Sequence, residues 1–154
     1  MSKIEEEFGN KIRIRVNGLC YQDDKILLVK HNLEDYKLWA PPGGGLVFGE
    51  TIEESLKREF REETCLDVIP GEFLFYTEFI KQPLHAIELF YKIESFTGEP
   101  SIGTDPEIKN VTIIEDMDFF NQEMLSMIPN DELHSILKDI NNPLELLKFR
   151  GDKK

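Results

Sequence analysis

The sequence predicts an α/β protein in which a mixed β-sheet carries helices on its faces. Two observations lead to this fold class. Several segments show the alternating or continuous apolar patterns of β-strands. A helix with a clear start signal lies between the second and third of these strands, and two further helical segments follow the last one. The predicted order is therefore strand, strand, loop, helix, three strands and two helices.

The N-terminal part of the chain is predicted to hold the first two strands. Residues 1–10 are polar and acidic, and we expect them to be a frayed lead-in. The first strand alternates between two sets of side chains, apolar Ile12, Ile14 and Val16 and polar Arg13, Arg15 and Asn17. This period of two indicates a strand with one buried face. A turn at 23–24 leads to a more buried strand over Lys25–Lys30, and we expect the two strands to form a hairpin.

A glycine-rich segment and the first long helix come next. Pro41–Gly45 is too rich in proline and glycine for a helix or a regular central strand, so it is predicted to be a loop. The helix starts at Thr51, where Thr51 and Glu54 match a capping box, and it should end near Thr64. Its apolar face consists of Ile52, Leu56 and Phe60.

The second half of the chain is predicted to complete the sheet and then turn helical. Two long β-type runs, Glu72–Ile80 and Ala86–Phe96, should form an antiparallel pair. Val111–Ile114 is predicted to be a last short strand. Helices are predicted over Asp118–Ile128 and Asp131–Ile140, with Pro129 breaking the helical pattern between them.

Length, composition and charge limit the possible functions. The chain has 154 residues, of which 40% are hydrophobic and 31% charged, so we expect a single domain over 1–154 with its own core. The formal net charge is −12 at pH 7, and a surface this acidic should not bind a DNA or RNA backbone. Small phosphorylated ligands remain possible because they occur as metal complexes and because screening by salt leaves them exposed only to the nearby charges of the protein.

The cysteines and the apolar runs bear on location. Cys20 and Cys65 lie far apart and show neither a disulfide framework nor zinc spacing. No apolar run approaches the length of about 20 residues that a membrane span needs. The N-terminus lacks the basic and apolar regions of a signal peptide. We therefore predict a reducing, cytoplasmic location and no membrane partner.

Three carboxylates on the predicted helix are the strongest candidates for chemistry. Glu59, Glu62 and Glu63 stand at positions i, i+3 and i+4, so they share one helix face opposite the apolar one. Adjacent carboxylates repel unless cations neutralise them, and oxygen ligands suit magnesium, manganese or calcium better than zinc or copper. The alternative is a solvated acidic face. The glycine-rich segment that leads into this helix favours the metal site, because such backbone can approach a ligand closely.

The segment from Gly44 to Leu66 resembles a known family signature. Its spacing, Gly44, five residues, Glu50, seven residues and then Arg58 to Leu66, is similar to the Nudix box, Gx5Ex7REUxEExGU, where U is an apolar residue. Every fixed position matches except one, because Cys65 stands where the box has glycine. The resemblance implies a Nudix-like α/β/α sandwich with a core over about 11–120 and a C-terminal helical segment over about 118–149.

The resemblance also implies an activity and roles for the box residues. It implies metal-dependent hydrolysis of the diphosphate linkage in a nucleoside diphosphate derivative, with Mg²⁺ or Mn²⁺ as cofactor and water attacking phosphorus. Glu59 and Glu63 would be the main metal ligands, Glu62 a further one and the Gly43 carbonyl another. Arg58 would orient Glu59. A structural residue, Glu50, would hold the junction between loop and helix.

Further site residues are predicted outside or at the edge of the box. Glu107 is the candidate for an additional metal-binding carboxylate, and Glu88 is the second choice. Backbone at Gly44 and Gly45 should contact the substrate. Aromatic rings can stack on a nucleobase, so two substrate-binding candidates remain, Trp39 and Phe79, although core packing is the more frequent fate of a lone tryptophan. The three histidines, which show no metal spacing, are expected on loops or helix surfaces; they are His31, His85 and His134.

Cys65 leaves a second function open. Glycine at a helix end usually adopts a left-handed conformation that is costly for other residues, so Cys65 must bear that strain or end the helix differently. The alternative to an enzyme is therefore a nucleotide-binding module or sensor with little turnover. Isomerase chemistry on an isopentenyl diphosphate also occurs on this fold, but the chain shows no matching catalytic pair. A homodimer is a reasonable expectation for a protein of this kind.

Overall fold

A computed structural model describes residues 3–33, 36–103 and 113–153 of the chain. Two β-sheets and one long helix build the molecule. In chain order the elements are α1 (Lys3–Phe8), β1 (Ile12–Leu19), β2 (Tyr21–Gln22), β3 (Lys25–Asn32), β4 (Lys37–Ala40), β5 (Gly43–Gly45), α2 (Ile52–Thr64), β6 (Asp67–Lys81), β7 (Leu84–Thr97), β8 (Ile113–Phe120), α3 (Gln122–Ser126) and β9 (Gly151–Asp152). Three short 3-10 helices lie between α3 and β9, at Asn130–Glu132, Ser135–Leu137 and Pro143–Lys148.

The larger sheet is mixed, as the sequence predicts. Its strand order is β5-β1-β7-β6-β9. Strands β1 and β7 run parallel, whereas β6 and β7 form the predicted antiparallel pair. The glycine strand β5 pairs antiparallel with β1 at the edge, so the loop predicted over Pro41–Gly45 is in part a short strand, where glycine allows another group to approach the backbone closely. This pairing fixes Gly43–Gly45 against the middle of β1.

The smaller sheet corrects the predicted N-terminal hairpin. Strand β3 forms a hairpin with the short strand β2, and β1 belongs to the other sheet. The strand β3 also pairs with β4 and, along most of its length, with β8. The prediction was wrong because the short strand Tyr21–Gln22 carries too few residues for an alternating pattern.

At the start of β1, the exposed and buried faces are the reverse of those predicted. The apolar side chains at its start point outward, with Ile12 64% and Ile14 44% exposed. The arginines on the opposite face, Arg13 and Arg15, are half-buried. Only from Val16 onward does the apolar face meet the core, where Val16 packs with Leu56 and Phe60 of α2.

The helix α2 begins and ends where the sequence predicts. The Thr51 hydroxyl accepts a hydrogen bond from the Glu54 N–H at 3.1 Å, and the Glu54 carboxylate accepts one from the Thr51 N–H at 3.4 Å. Cys65 ends the helix in the left-handed region, with φ 62° and ψ 19°. Cys65 therefore adopts the strained conformation that glycine would take without cost.

The terminal segments differ from the predictions. A short helix, α1, replaces the expected lead-in at the N-terminus. Strand β8 continues to Phe120, so the predicted helix over Asp118–Ile128 is reduced to α3. The predicted helix over Asp131–Ile140 is instead two 3-10 turns. No helix in the described ranges is long and apolar enough to cross a membrane.

The buried apolar residues form two clusters. One cluster lies between the two sheets and includes Leu28, Phe75 and Phe90. The other lies between α2 and the larger sheet and includes Leu56 and Phe60. The helix α2 is thus packed on its apolar face, while its acidic face is turned toward the glycine strand β5.

Candidate active site

Two carboxylates of α2 are buried beneath the glycine strand. Glu59 is 1% exposed and Glu63 is fully buried, at 0%. Burying carboxylates without compensation is costly, so such groups are held by donors or cations. The acidic face of α2 is therefore not a solvated surface, which was the alternative interpretation of its sequence.

The glycine strand approaches both carboxylates closely. The Gly43 N–H donates a hydrogen bond to Glu63 Oε1 at 2.8 Å. A Cβ on Gly44 would overlap the carboxylate of Glu59 and would lie 2.6 Å from its Oε2. Only glycine leaves room for Glu59 in this position. The glycines that the sequence predicts to approach a ligand thus contact two candidate metal-binding acids. Gly44 leaves space for Glu59, and the Gly43 N–H holds Glu63.

Arg58 connects the remaining acids to this cluster. Its Nη1 group donates to Glu59 Oε1 at 2.9 Å and to Glu62 Oε2 at 3.2 Å. Its Nε and Nη2 groups donate to the Glu50 carboxylate at 2.7 and 3.0 Å, and Nη2 also reaches the Gly45 carbonyl at 3.3 Å. These are the contacts that an orienting role for Arg58 and a joining role for Glu50 require. The hydrogen bonds from Arg58 hold the pKa of the Glu50 carboxyl below its usual range.

His31 is a site residue that sequence reasoning missed. It lies on β3, is buried rather than on a loop, and places Nε2 3.8 Å from Glu63 Oε2. Burial, followed by the nearby Arg15, lowers the pKa of His31 to about 4, so the imidazole is neutral at pH 7. No spacing rule in the sequence connects a histidine on one sheet with a helix that packs against the other.

A cavity of about 950 Å³ opens beside the carboxylates. Its walls come from both sheets, α1, β5 and the C-terminal 3-10 turns. Its lining combines the acidic Glu63, the basic Arg13 and Arg15, and apolar groups such as Phe8 and Phe79. The volume is at the upper end of the range of about 300–1,000 Å³ that is usual for ligand pockets.

A buried polar network centred on Glu88 contributes to the cavity lining. The carboxylate of Glu88 contacts His134 Nε2 at 2.8 Å, Arg15 Nε at 3.6 Å and the Thr77 hydroxyl at 3.3 Å. Burial alone would raise the pKa of Glu88, but His134, Arg15 and Thr77 together outweigh it and lower the pKa to about 2. Glu88, the second choice for an outside metal ligand, is thus held by protein donors. His134 is buried, contrary to the surface position expected for it.

The predicted substrate-binding residues separate into two groups. Phe79, Gly44 and Gly45 line the cavity. Trp39 does not: it is 7% exposed and packs edge-on against Phe120, with ring centroids 4.8 Å apart. The stacking role predicted for Trp39 is therefore replaced by a core role. Glu107, the predicted additional metal ligand, lies outside the described residues.

The donors in this site match a hard divalent cation. The carboxylate oxygens of Glu59, Glu62 and Glu63 are the ligand type that magnesium and manganese prefer. Among the described residues, no three acidic, histidine or cysteine side chains are already gathered around one ion position. Some of these oxygens accept hydrogen bonds from Arg58 and from the Gly43 N–H. A cation would compete with these donors.

Comparison with known proteins agrees with this architecture. The NUDIX domain family matches residues 11–135. An ADP-ribose pyrophosphatase of Methanocaldococcus jannaschii is 31% identical over 129 residues, covering 82% of this chain and 71% of the relative. A MutT NUDIX hydrolase of Burkholderia pseudomallei has a TM-score of 0.67 at 23% identity, covering 85% of this chain and 99% of that one. A MutT protein of Methanosarcina mazei Go1 has a TM-score of 0.68 at 17% identity, covering 84% and 90%. The Nudix-like fold predicted from the sequence is confirmed.

Proposed function

This chain belongs to the Nudix hydrolase family, and from that membership we propose that it is a divalent-metal-dependent hydrolase that cleaves the diphosphate linkage of a nucleoside diphosphate derivative. One observation carries the proposal. Glu59 and Glu63 are buried beneath the glycine strand, and Glu63 lines a cavity of about 950 Å³ that Arg13 and Arg15 also line. The acids proposed to hold the metal and the arginines proposed to bind phosphate thus lie close together.

Magnesium or manganese is the proposed cofactor. Glu59, Glu62, Glu63 and the Gly43 carbonyl would hold the ion. When bound, it would stabilise negative charge on the phosphoryl oxygens and lower the pKa of water, so that the hydroxide that attacks phosphorus is available at neutral pH. Glu107 stays a proposed additional ligand, testable by its replacement with glutamine.

The residues around the ligands would control their positions. Arg58 restrains Glu59 and Glu62 through charge-assisted hydrogen bonds, and the Gly43 N–H restrains Glu63. Burial of the acids excludes bulk water, so charge interactions inside the site are stronger than at the surface. Preorganisation of this kind lowers the cost of arranging the site during the reaction.

The proposed substrate class follows from the cavity and from one relative. The relative in Methanocaldococcus jannaschii is an ADP-ribose pyrophosphatase, and we propose a nucleoside diphosphate joined to a sugar or similar group for this chain as well. The cavity supports this proposal because it combines apolar walls, suited to a base, with two arginines suited to phosphate groups.

A substrate panel tests the proposed function. The protein would be incubated with Mg²⁺ and ADP-ribose, dinucleoside polyphosphates, nucleotide sugars or oxidised nucleoside triphosphates, and the products identified by mass spectrometry. Cleavage between two phosphorus atoms of at least one compound is expected. Nucleotide binding without turnover across the panel would favour the alternative, a binding module or sensor. The structural feature in favour of that alternative is the strained backbone of Cys65.

Location and assembly are also proposals. Cys20 is a buried free thiol and Cys65 an exposed one, which supports a reducing, cytoplasmic compartment. We propose a homodimer on the general prevalence of such assemblies. Among the apolar residues that follow β8, Leu125 is buried in the core and Met127 is exposed, whereas Phe120 at the end of β8 is buried. Light scattering in solution would give the assembly state directly.

A further inference from the structure

The cavity lining includes an arginine, Arg13, that has acids nearby but forms no close ion pair with the described residues. Arg13 makes no hydrogen bond or ion pair with any residue that the structure describes. Its guanidinium instead lies 3.8 Å from the centroid of the Phe8 ring, and its Nη2 group lies 3.6 Å from where a Cβ on Gly45 would be. Arg13 thus lies above the glycine strand that covers the candidate metal ligands.

A second arginine increases the local positive charge. Arg15 follows on the same face of β1 and also lines the cavity. Burial, and next the charge of Arg15, lower the pKa of Arg13 to about 10, while Glu88, Glu59 and Glu7 act in the opposite direction, so the Arg13 guanidinium is charged at pH 7. Two neighbouring cations in a chain of net charge −12 repel each other, and a bound anion would remove that cost.

We propose that Arg13 and Arg15 form the subsite that binds the diphosphate of the substrate, and that Glu88 and His134 are positioning residues that hold Arg15 in it. This inference rests on the proposed function and deepens it. The guanidinium groups match phosphate in geometry, because they can donate two parallel hydrogen bonds to its oxygens.

The positioning role follows from a chain of contacts across the sheet. Arg15 of β1 lies opposite Glu88 of β7, and Glu88 lies opposite Thr77 of β6. The Ile136 N–H donates to His134 Nδ1 at 3.2 Å, so Nδ1 is an acceptor and the donor nitrogen of this ring is Nε2. That Nε2–H donates to Glu88 Oε1 at 2.8 Å, and Glu88 Oε2 faces Arg15 Nε at 3.6 Å.

The contact with Glu88 leaves Arg15 able to bind an anion. Glu88 contacts the Nε side of the Arg15 guanidinium, and the remaining N–H donors of this group can bind a phosphate. Because His134 belongs to the C-terminal 3-10 segment, that segment becomes part of the substrate site. The His134 N–H donates to the Trp39 carbonyl at 2.9 Å, which fixes the segment to the smaller sheet as well.

Binding of ADP by the metal-free protein tests the subsite without requiring turnover. Calorimetry in EDTA would compare ADP with adenosine, which lacks the diphosphate. The parent should bind ADP about tenfold or more tightly than adenosine, as expected for charge-assisted hydrogen bonds. Arg13→Gln and Arg15→Gln should remove most of this difference. Arg150→Gln is the matched control, because Arg150 is an exposed arginine that pairs with Glu72.

The His134 variants test the positioning role. His134→Gln keeps an N–H near the Nε2 position and should bind ADP as the parent does. His134→Phe keeps a ring against Phe90 but loses the donor to Glu88, and it should bind ADP several-fold more weakly. If His134→Phe does not fold, Glu88→Gln replaces it, since it removes the charge that attracts Arg15 and should weaken ADP binding similarly.

Three results would overturn the inference. These are equal affinities of the parent for ADP and adenosine, an unchanged ADP affinity in Arg13→Gln, and equal losses in the two His134 variants. In steady-state assays with ADP-ribose, Arg13→Gln should raise KM more than it lowers kcat. Arginine-dependent ADP binding without any turnover would refute the proposed function alone, whereas turnover with arginine-independent ADP binding would refute the subsite alone.

Discussion

Gly44 determines where the carboxylate of Glu59 can lie, because the space that a side chain would take is filled by that carboxylate. Gly44→Ala should therefore displace Glu59 and lower kcat by about tenfold to a hundredfold, as expected when a candidate ligand moves by part of an ångström. Steady-state kinetics with ADP-ribose and Mg²⁺ would measure the effect, and circular dichroism would show that the fold is retained.

The neighbouring glycine provides the comparison for this variant. A Cβ on Gly45 would meet Arg13 Nη2 at 3.6 Å, which is an ordinary contact. Gly45→Ala should accordingly lower kcat much less than Gly44→Ala does. Equal losses in the two variants would mean that the whole glycine strand, rather than the position of Glu59, limits turnover.

Cys65 offers a second test at the scale of one residue. Its left-handed backbone costs about 1 kcal/mol that glycine would not incur, although glycine also gains freedom in the unfolded chain. Cys65→Gly should raise the free energy of unfolding by about 0.5 kcal/mol. Turnover should not change, because Glu63 is held by Gly43 and not by Cys65. Urea unfolding and activity assays would check both statements, with Cys65→Ala, which retains Cβ, expected to show no gain in stability.

At the scale of elements, the start of α2 gives the clearest prediction. Both hydrogen bonds of the capping box are formed by Thr51 and Glu54. Thr51→Ala should lower the free energy of unfolding by about 1 kcal/mol, because it leaves a helical N–H without its side-chain acceptor. Thr51→Ser keeps the hydroxyl and should be close to the parent in urea unfolding. A stability of Thr51→Ala equal to that of the parent would show that the box contributes nothing.

The elements that sequence predicts correctly are those with local signals. The helix α2 carries its own cap and apolar face, and β6 and β7 are long runs joined by a short turn. The predictions fail where contacts between distant parts of the chain determine the local structure. The outward orientation of Ile12 depends on α2 covering β1 only from Val16 onward, and the C-terminal segment forms 3-10 turns whose apolar residues, such as Ile136, pack between the sheets.

At the scale of the whole molecule, the network around Glu88 joins three strands and the C-terminal segment. Because the pKa of Glu88 is lowered from 4.5 to about 2, the folded protein binds fewer protons than the unfolded chain between these values. Its contribution to stability is thus fully present above pH 4.5 and is lost as pH falls toward 2. Unfolding measured across this pH range should show the loss, and Glu88→Gln should show a weaker pH dependence than the parent.

Only part of the candidate site could be predicted from the sequence, because some of its contacts depend on how the whole molecule is packed. Arg58, Glu59, Glu62 and Glu63 are close in sequence, so helix geometry alone brings them together. His134 and Glu88 are 46 positions apart, and no periodic pattern relates them. Such contacts become visible only when the sheet and the C-terminal segment are packed against each other.

The central claim is that the buried acids of α2 hold a divalent cation that is needed for diphosphate cleavage. The most direct measurement is the rate of ADP-ribose hydrolysis as a function of Mg²⁺ concentration, in the parent and in Glu63→Gln. Glu53→Gln is the matched control, because Glu53 lies on the same helix but is exposed and pairs with Lys57.

We expect saturable activation by Mg²⁺ in the parent and in Glu53→Gln, and a loss of about a hundredfold or more in Glu63→Gln, because the metal supplies several kcal/mol of transition-state stabilisation. Hydrolysis in EDTA at the rate seen with Mg²⁺, or turnover by Glu63→Gln equal to that of the parent, would contradict the account.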